Sequence, residues 1–269
     1  MKISFRTIAV AAALTTVFGI AQAHNLWLLP SSTVLSKPDT ITVDAAVSND
    51  LFVANHVALR LDNLQITAPD GSAVQPANQA TLKHRSVFDV AVAAPGTYRI
   101  AVVNGGAFAS WKVKGTGEAK RARGTPETIA KEIPADAQDV TITQSIGRIE
   151  TFVTVGKPST PKAIGTGLEM VPAGGTLTDR VKGEQSRCAL FIDGQPAADL
   201  EVTVTAGGTQ YRDKLDEVKI KTDAKGQFAV TWPTAGMYWI DASTKDNKTT
   251  MPQAKERRLS YAATVEVMP

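Results

Sequence analysis

Phe88-Asp-Val-Ala-Val-Ala-Ala-Pro-Gly-Thr-Tyr-Arg-Ile100 can be laid without a gap on Phe228-Ala-Val-Thr-Trp-Pro-Thr-Ala-Gly-Met-Tyr-Trp-Ile240, and Phe, Val, Gly, Tyr and Ile coincide. In each copy apolar and polar residues alternate on both sides of a Gly-containing turn, which is the mark of strands with one buried face. The pattern predicts a β-hairpin in each half of the chain, its inward Phe and Val facing an inward Tyr and Ile.

Outward from these copies the same two-residue period recurs in Thr40–Val47 and Leu200–Thr205, and helical periodicity is nearly absent. Turn signals separate the runs, among them Pro69-Asp-Gly71, Asp193-Gly194 and Lys225-Gly226, where Gly accepts a positive φ without steric cost. The expected fold class is therefore all-β: two antiparallel β-sandwich domains of Ig-like or prealbumin-like type. One short helix is expected in the first, where Thr125 can cap Pro126–Ile133 and Pro134 stops it. Two prolines in Val155–Lys162 suit a stiff connector. The expected division is a first sandwich over 24–156, a linker over 157–162 and a second sandwich over 163–269.

Ahead of these lies a segment with basic Lys2 and Arg6, an apolar run from Thr7 to Ile20 and small residues at Ala21 and Ala23. That order predicts a secretory signal over residues 1–23, cleaved after Ala23, and hence a periplasmic mature protein with no direct membrane insertion. Removing Lys2 and Arg6 from the 29 basic residues leaves 27 against 26 acidic ones. A chain so nearly neutral lacks the electrostatic footprint of a nucleic-acid binder. The run Lys112, Lys114, Lys120, Arg121 and Arg123 reads either as an anion-holding patch or as an ordinary solvated loop. Cys188 stands alone, so it forms no intramolecular disulfide and is expected to be a buried small hydrophobe.

Cleavage after Ala23 would make His24 the first residue. A terminal histidine chelates through its α-amine and ring Nδ1, and the amine's pKa of about 7.7–8.0 lets a metal displace its proton near neutral pH. A third nitrogen would complete a T-shaped brace suited to copper and compatible with nickel. His56 and His84 are the other two histidines of the chain. Asp50 is available as an oxygen ligand, so the candidate metal set is His24, His56, Asp50 and His84. Their ordinary alternatives are surface or structural roles, with His24 and Trp27 packing the terminus against a sheet. Neither a G-x-S-x-G elbow, nor a G-x-G-x-x-G loop, nor a phosphate-binding loop occurs. The expectation is a non-enzyme, with a copper-dependent oxygenase as the enzymatic alternative.

From Ala23-His-Asn-Leu-Trp-Leu-Leu-Pro30 onward the mature chain resembles a family of exported bacterial proteins described as a domain of unknown function, through Val43–Phe52 with His56, Pro95–Tyr98, Arg123–Glu127, Gly167–Pro172 and Thr222–Phe228. The resemblance implies an accessory role in nickel or cobalt uptake, beside membrane metal-uptake or iron-reductase components, with His24 and His56 as ligands. A His-rich stretch found near the terminus of some members is missing here. The second half also resembles prealbumin-like modules of carboxypeptidase-regulatory type, through Asp193–Pro196, Glu201–Val204 and Thr222–Phe228, which implies a scaffold role.

Overall fold

The computed structural model describes residues 24–269, so the expected signal segment lies outside the described residues. The first half runs β1 (Asn25–Pro30), β2 (Val34–Leu35), β3 (Asp39–Ser48), β4 (Val57–Ala58), β5 (Leu64–Thr67), β6 (Ala77–Thr81), β7 (Ser86–Val92), β8 (Gly96–Lys112), β9 (Ala119–Gly124), α1 (Pro126–Glu132) and β10 (Gln138–Val155). The second half runs β11 (Leu168–Pro172), β12 (Arg180–Val181), β13 (Gln185–Ile192), β14 (Gln195–Pro196), β15 (Glu201–Ala206), a 3-10 turn at Thr209–Tyr211, β16 (Val218–Lys221), β17 (Gln227–Thr231), β18 (Gly236–Asp246) and β19 (Glu256–Met268). The protein is all-β apart from the short helix, which begins where expected: Thr128 N donates to the Thr125 hydroxyl at the cap.

The repeated stretch is not a hairpin. β7 pairs with β3 and β6, whereas β8 pairs with β10, β5 and β9 in another sheet. The second copy does the same, with β17 beside β13 and β18 between β15 and β19. Each copy is thus an arch that carries the chain from one layer of a sandwich to the other, so Phe88 and Tyr98 meet across a core and not along a ladder. Both arches are pinned alike, because Tyr98 Oη accepts from Ala94 N at 2.7 Å and Tyr238 Oη from Thr234 N at 3.3 Å. Alternation and a Gly turn are common to hairpins and arches, which is why the sequence pattern alone suggested the commoner one.

A ten-stranded sheet runs through both halves in the order β16-β15-β18-β19-β10-β8-β5. Its centre is a parallel ladder in which Thr143–Thr151 of β10 pair with Glu256–Thr264 of β19. Parallel pairing also joins β2 to β10 and β12 to β19, so the sheets are not purely antiparallel. Successive side chains of a strand point to opposite faces, and the two halves use that separately. On one face Tyr98, Ile100, Val102, Ile149 and Val153 pack against Ile41, Val43, Phe88 and Val90 of a five-stranded sheet built from β1, β3, β4, β6 and β7. On the other, Phe152, Tyr261, Ala263, Tyr238 and Ile240 pack against Met170, Leu190, Phe228 and Val230 of a four-stranded sheet of β11, β13, β14 and β17. Cys188 is buried in this second core. A small third cluster, with Ala109, Trp111, Ile129 and Met251, closes the far end of β8 under α1. The linker folds back on the first half, since Thr97 N donates to Ser159 Oγ and Arg99 Nη1 to the Lys162 carbonyl.

Asp241 lies on β18, opposite Ala262 and Thr203. Burial pushes its carboxyl from 3.8 up to about 6, with Arg258 opposing the rise and Glu217 adding to it. The folded chain therefore holds this proton more tightly than the unfolded chain, so the group favours the fold below pH 4 and loses that contribution as pH rises through about 6. At about 1.4 kcal/mol per pKa unit, Asp241→Asn is expected to raise stability by about 3 kcal/mol at pH 7.5 and to leave it nearly unchanged at pH 3.5. Urea unfolding at the two pH values checks this, and an equal effect at both would refute it.

Candidate functional site

The start of β1, the end of β3 and the start of β7 fall at one end of the five-stranded sheet, because these neighbouring strands run antiparallel. The histidines sit on those three ends. His24 precedes β1, His56 closes the loop after β3, and His84 lies in the turn before β7. The His24 and His56 rings are stacked, with centroids 4.0 Å apart and planes 11° from parallel. His84 Nδ1 lies 2.8 Å from the His56 carbonyl oxygen. A carbonyl only accepts, so Nδ1 carries the proton and Nε2 of the neutral ring keeps its lone pair for a ligand. All three histidines of the chain meet here.

The loop that carries His56 is held from below. Trp27 Nε1 donates to Ser48 Oγ at 2.7 Å, and Ser48 Oγ donates to the Asp50 carbonyl at 2.6 Å. Trp27 also meets Phe52 edge to face at 5.9 Å. Phe52 adopts φ +64°, a conformation costly for a bulky side chain and held only where surroundings dictate it. Those surroundings belong to the second half: Leu51 N donates to Thr209 Oγ1 at 3.0 Å. A Cβ at Gly207 would come within 3.0 Å of the Phe52 ring, so only a glycine leaves the ring its place. Beside it a cavity of about 320 Å³ is lined by Phe52, Gly208, Arg212 and Tyr238. Trp27 is buried against the sheet, as one of the sequence alternatives had it, whereas Ser48 and Phe52 were not legible as anchors, since nothing in their spacing distinguishes them from ordinary strand and loop residues.

Asp50 does not join the imidazoles. Its Oδ2 accepts from Asn55 Nδ2 at 2.8 Å and so closes the loop upon itself. Among the described residues no group of three or more His, Cys, Asp or Glu side chains is arranged to hold a metal ion. The stacking shows why: a metal–imidazole bond lies in the ring plane, so two parallel rings aim their lone pairs side by side and not at one point. Both side chains are exposed, and rotation about their side-chain torsions between staggered wells would redirect them. The basic run forms the exposed β8–β9 hairpin, where Lys112 pairs with Asp139 at 2.7 Å and Lys120 with Glu118 at 2.5 Å. Tyr98, Tyr238 and Trp232 are buried, and Trp239 packs against the first core with its Nε1 donating to the Leu26 carbonyl.

Residues 21–246 match the model of a family described as "Domain of unknown function (DUF4198)". No curated protein matches the chain. Among solved structures, the D0-D1 domain of intimin is 13% identical, with 90% of this chain and 97% of that chain covered and a TM-score of 0.23. The FN1-FN3 domains of chicken CNTN1 are 8% identical, covering 90% and 98% with a TM-score of 0.24. The titin I-band fragment I67-I69 is 12% identical, covering 91% and 65% with a TM-score of 0.21. Likenesses at these scores carry no argument about what the chain does.

Proposed function

We propose, for a chain that belongs to the DUF4198 family of domains of unknown function, that it is a periplasmic accessory protein of transition-metal uptake or handling, binding nickel or copper through a mature N-terminal His24. The observation that supports this reading is the gathering of His24, His56 and His84 at one end of the first sheet. Histidine is the commonest metal ligand, and a hydrogen bond from one ring nitrogen to a carbonyl is how proteins commonly orient the other toward a metal. Here His24 supplies its α-amine and Nδ1, His56 or His84 supplies a third nitrogen, and the anchored Trp27–Phe52 loop limits how far His56 can move. Asp50 is a secondary ligand, released only if its bond to Asn55 opens. The partners are the metal ion and membrane metal-uptake or reductase components; nucleic acid is not among them.

The test is titration of Cu(II) and of Ni(II) into protein beginning at His24, into the same protein with one added N-terminal Gly, and into His56→Ala. A Gly extension converts the α-amine into an amide and is expected to weaken binding at least about tenfold, which corresponds to about 1.4 kcal/mol. Equal affinities with and without the extension would refute terminal chelation. The reading then left is a non-enzymatic interaction module of the cell envelope, favoured by Tyr211, which stands 85% exposed next in sequence to Arg212 of the cavity wall.

A further inference from the structure

Arg99 of β8, Arg148 and Glu150 of β10 and Tyr261 of β19 share the face of the ten-stranded sheet that carries the second core, with Arg148 opposite Tyr261 and Arg99 opposite Phe152. All four are buried, Glu150 and Tyr261 completely. Tyr261 Oη donates to Glu150 Oε1 at 2.5 Å, and Arg99 Nε lies 3.4 Å from Glu150 Oε2. Of the ten buried side-chain nitrogens and oxygens without a hydrogen-bond partner among the described residues, five belong here: Arg99 Nε and Glu150 Oε2, which face each other at 3.4 Å, and Arg99 Nη2 and Arg148 Nε and Nη1, which face no acceptor. Buried polar groups are otherwise nearly always satisfied, and a cluster of exceptions points to an ion or ligand.

The charges are also unequal. Two guanidiniums stay ionised at any physiological pH. Glu169 spends both carboxylate oxygens on the N–H groups of Ile164 and Gly165, each at 2.7 Å. Burial raises Glu150 above the usual carboxylate range and so favours its neutral form, although both arginines and the Tyr261 hydroxyl oppose this. Positive charge is left over, and Arg99 carries its share of it beside space, where the exposed Asp70 carboxylate is the negative neighbour of Lys162. A cavity of about 180 Å³ is lined by Arg99, Thr97, Pro69, Gly71 and the 161–164 segment, including Lys162. The Lys162 ammonium stands over Gly71, 3.4 Å from where a Cβ would lie, and Arg99 Nη1 holds the Lys162 carbonyl at 2.7 Å.

We infer that this cavity binds a small oxyanion, a carboxylate or inorganic phosphate, between the Arg99 guanidinium and the Lys162 ammonium, under the 161–164 segment. With Nη1 on the Lys162 carbonyl and Nε toward Glu150, Arg99 has Nη2 left as a charge-assisted donor to such an anion, and its ring neighbour Phe152, 5.7 Å from Cζ, packs beside the guanidinium. Lys162 is exposed and guards the entrance as a movable point charge.

The experiment is calorimetric titration of the whole mature chain, freed of metal, with sodium succinate and separately with sodium phosphate at constant ionic strength. The stronger of the two arms identifies the anion. Lys162→Gln removes an exposed charge and is expected to weaken binding about fivefold with the melting temperature unchanged. Arg99→Lys is expected to weaken it at least about tenfold, the scale of one charge-assisted bond of about 1.5 kcal/mol. His24→Ala should bind as wild type does, which separates this site from the histidines. Absence of binding by either anion up to about 10 mM, a range that covers even millimolar affinities, overturns the inference. So does binding that Lys162→Gln leaves unchanged, and that variant decides the matter if Arg99→Lys fails to fold.

Discussion

Trp232→Ala is expected to lower the unfolding free energy by about 3–5 kcal/mol, the range for removing a fully buried large aromatic side chain. Trp232 opens the second arch and is 1% exposed. Its ring meets Tyr238 edge to face at 5.0 Å, Arg180 lies 5.5 Å from it, and its Nε1 donates to Ser186 Oγ at 2.9 Å. Truncation therefore leaves a cavity and takes the aromatic partner from Arg180, a guanidinium that burial already disfavours. The aligned position in the first arch is Val92, also fully buried, and Val92→Ala removes far less volume, so about 1–2 kcal/mol is expected from roughly 0.8 kcal/mol per buried methylene plus a small cavity term. Urea unfolding of the two variants checks the ranking; equal losses would mean that the arches do not differ as their packing indicates.

Glu150→Ala is expected to cost about as much, about 3–5 kcal/mol, because removing the central member of a buried polar cluster leaves two neighbours without their partner, at about 1–3 kcal/mol for each unsatisfied group. Arg99 loses the carboxyl nearest its Nε, and the Tyr261 hydroxyl loses its acceptor. Glu150→Gln keeps the shape and an oxygen for Tyr261, so it is expected to cost less than half as much, about 1–2 kcal/mol for replacing the carboxyl oxygen near Arg99 by an amide group. The comparison is made by denaturant unfolding at pH 7. Equal losses from Ala and Gln would show that the carboxyl's place in the network contributes nothing beyond its volume.

The strands, their inward residues and the capped helix were legible because each rests on a local cause: two-residue alternation, glycine at a turn, a hydroxyl before a proline. Pairing was less legible. Thr97–Val102 reads as a strand with one buried face, yet every residue from Gly96 to Val102 is buried, because the sheet is covered on one side by the first half's second layer and on the other by the second core and the linker. Arg99 thus looks like an outward residue in the alternation and proves to be an inward one. The β10–β19 ladder leaves no local mark either, since both strands belong to the same sheet only through contacts between the chain's middle and its end. Of the candidate metal residues, His24 and His56 do come together, which follows from the antiparallel order of β1 and β3, whereas Asp50's engagement with Asn55 is a loop-internal bond that spacing does not reveal.

The strand that completes the central sheet is β19, at the very end of the chain. Until it has been made, β10 keeps one long edge bare and the second core lacks a wall, while the first core lacks only Ala262. Contacts this distant in sequence fold slowly and leave strand edges open to wrong partners meanwhile. Shortening the chain by its last strand would thus open the second core and bare the β10 edge that the first half lends to it.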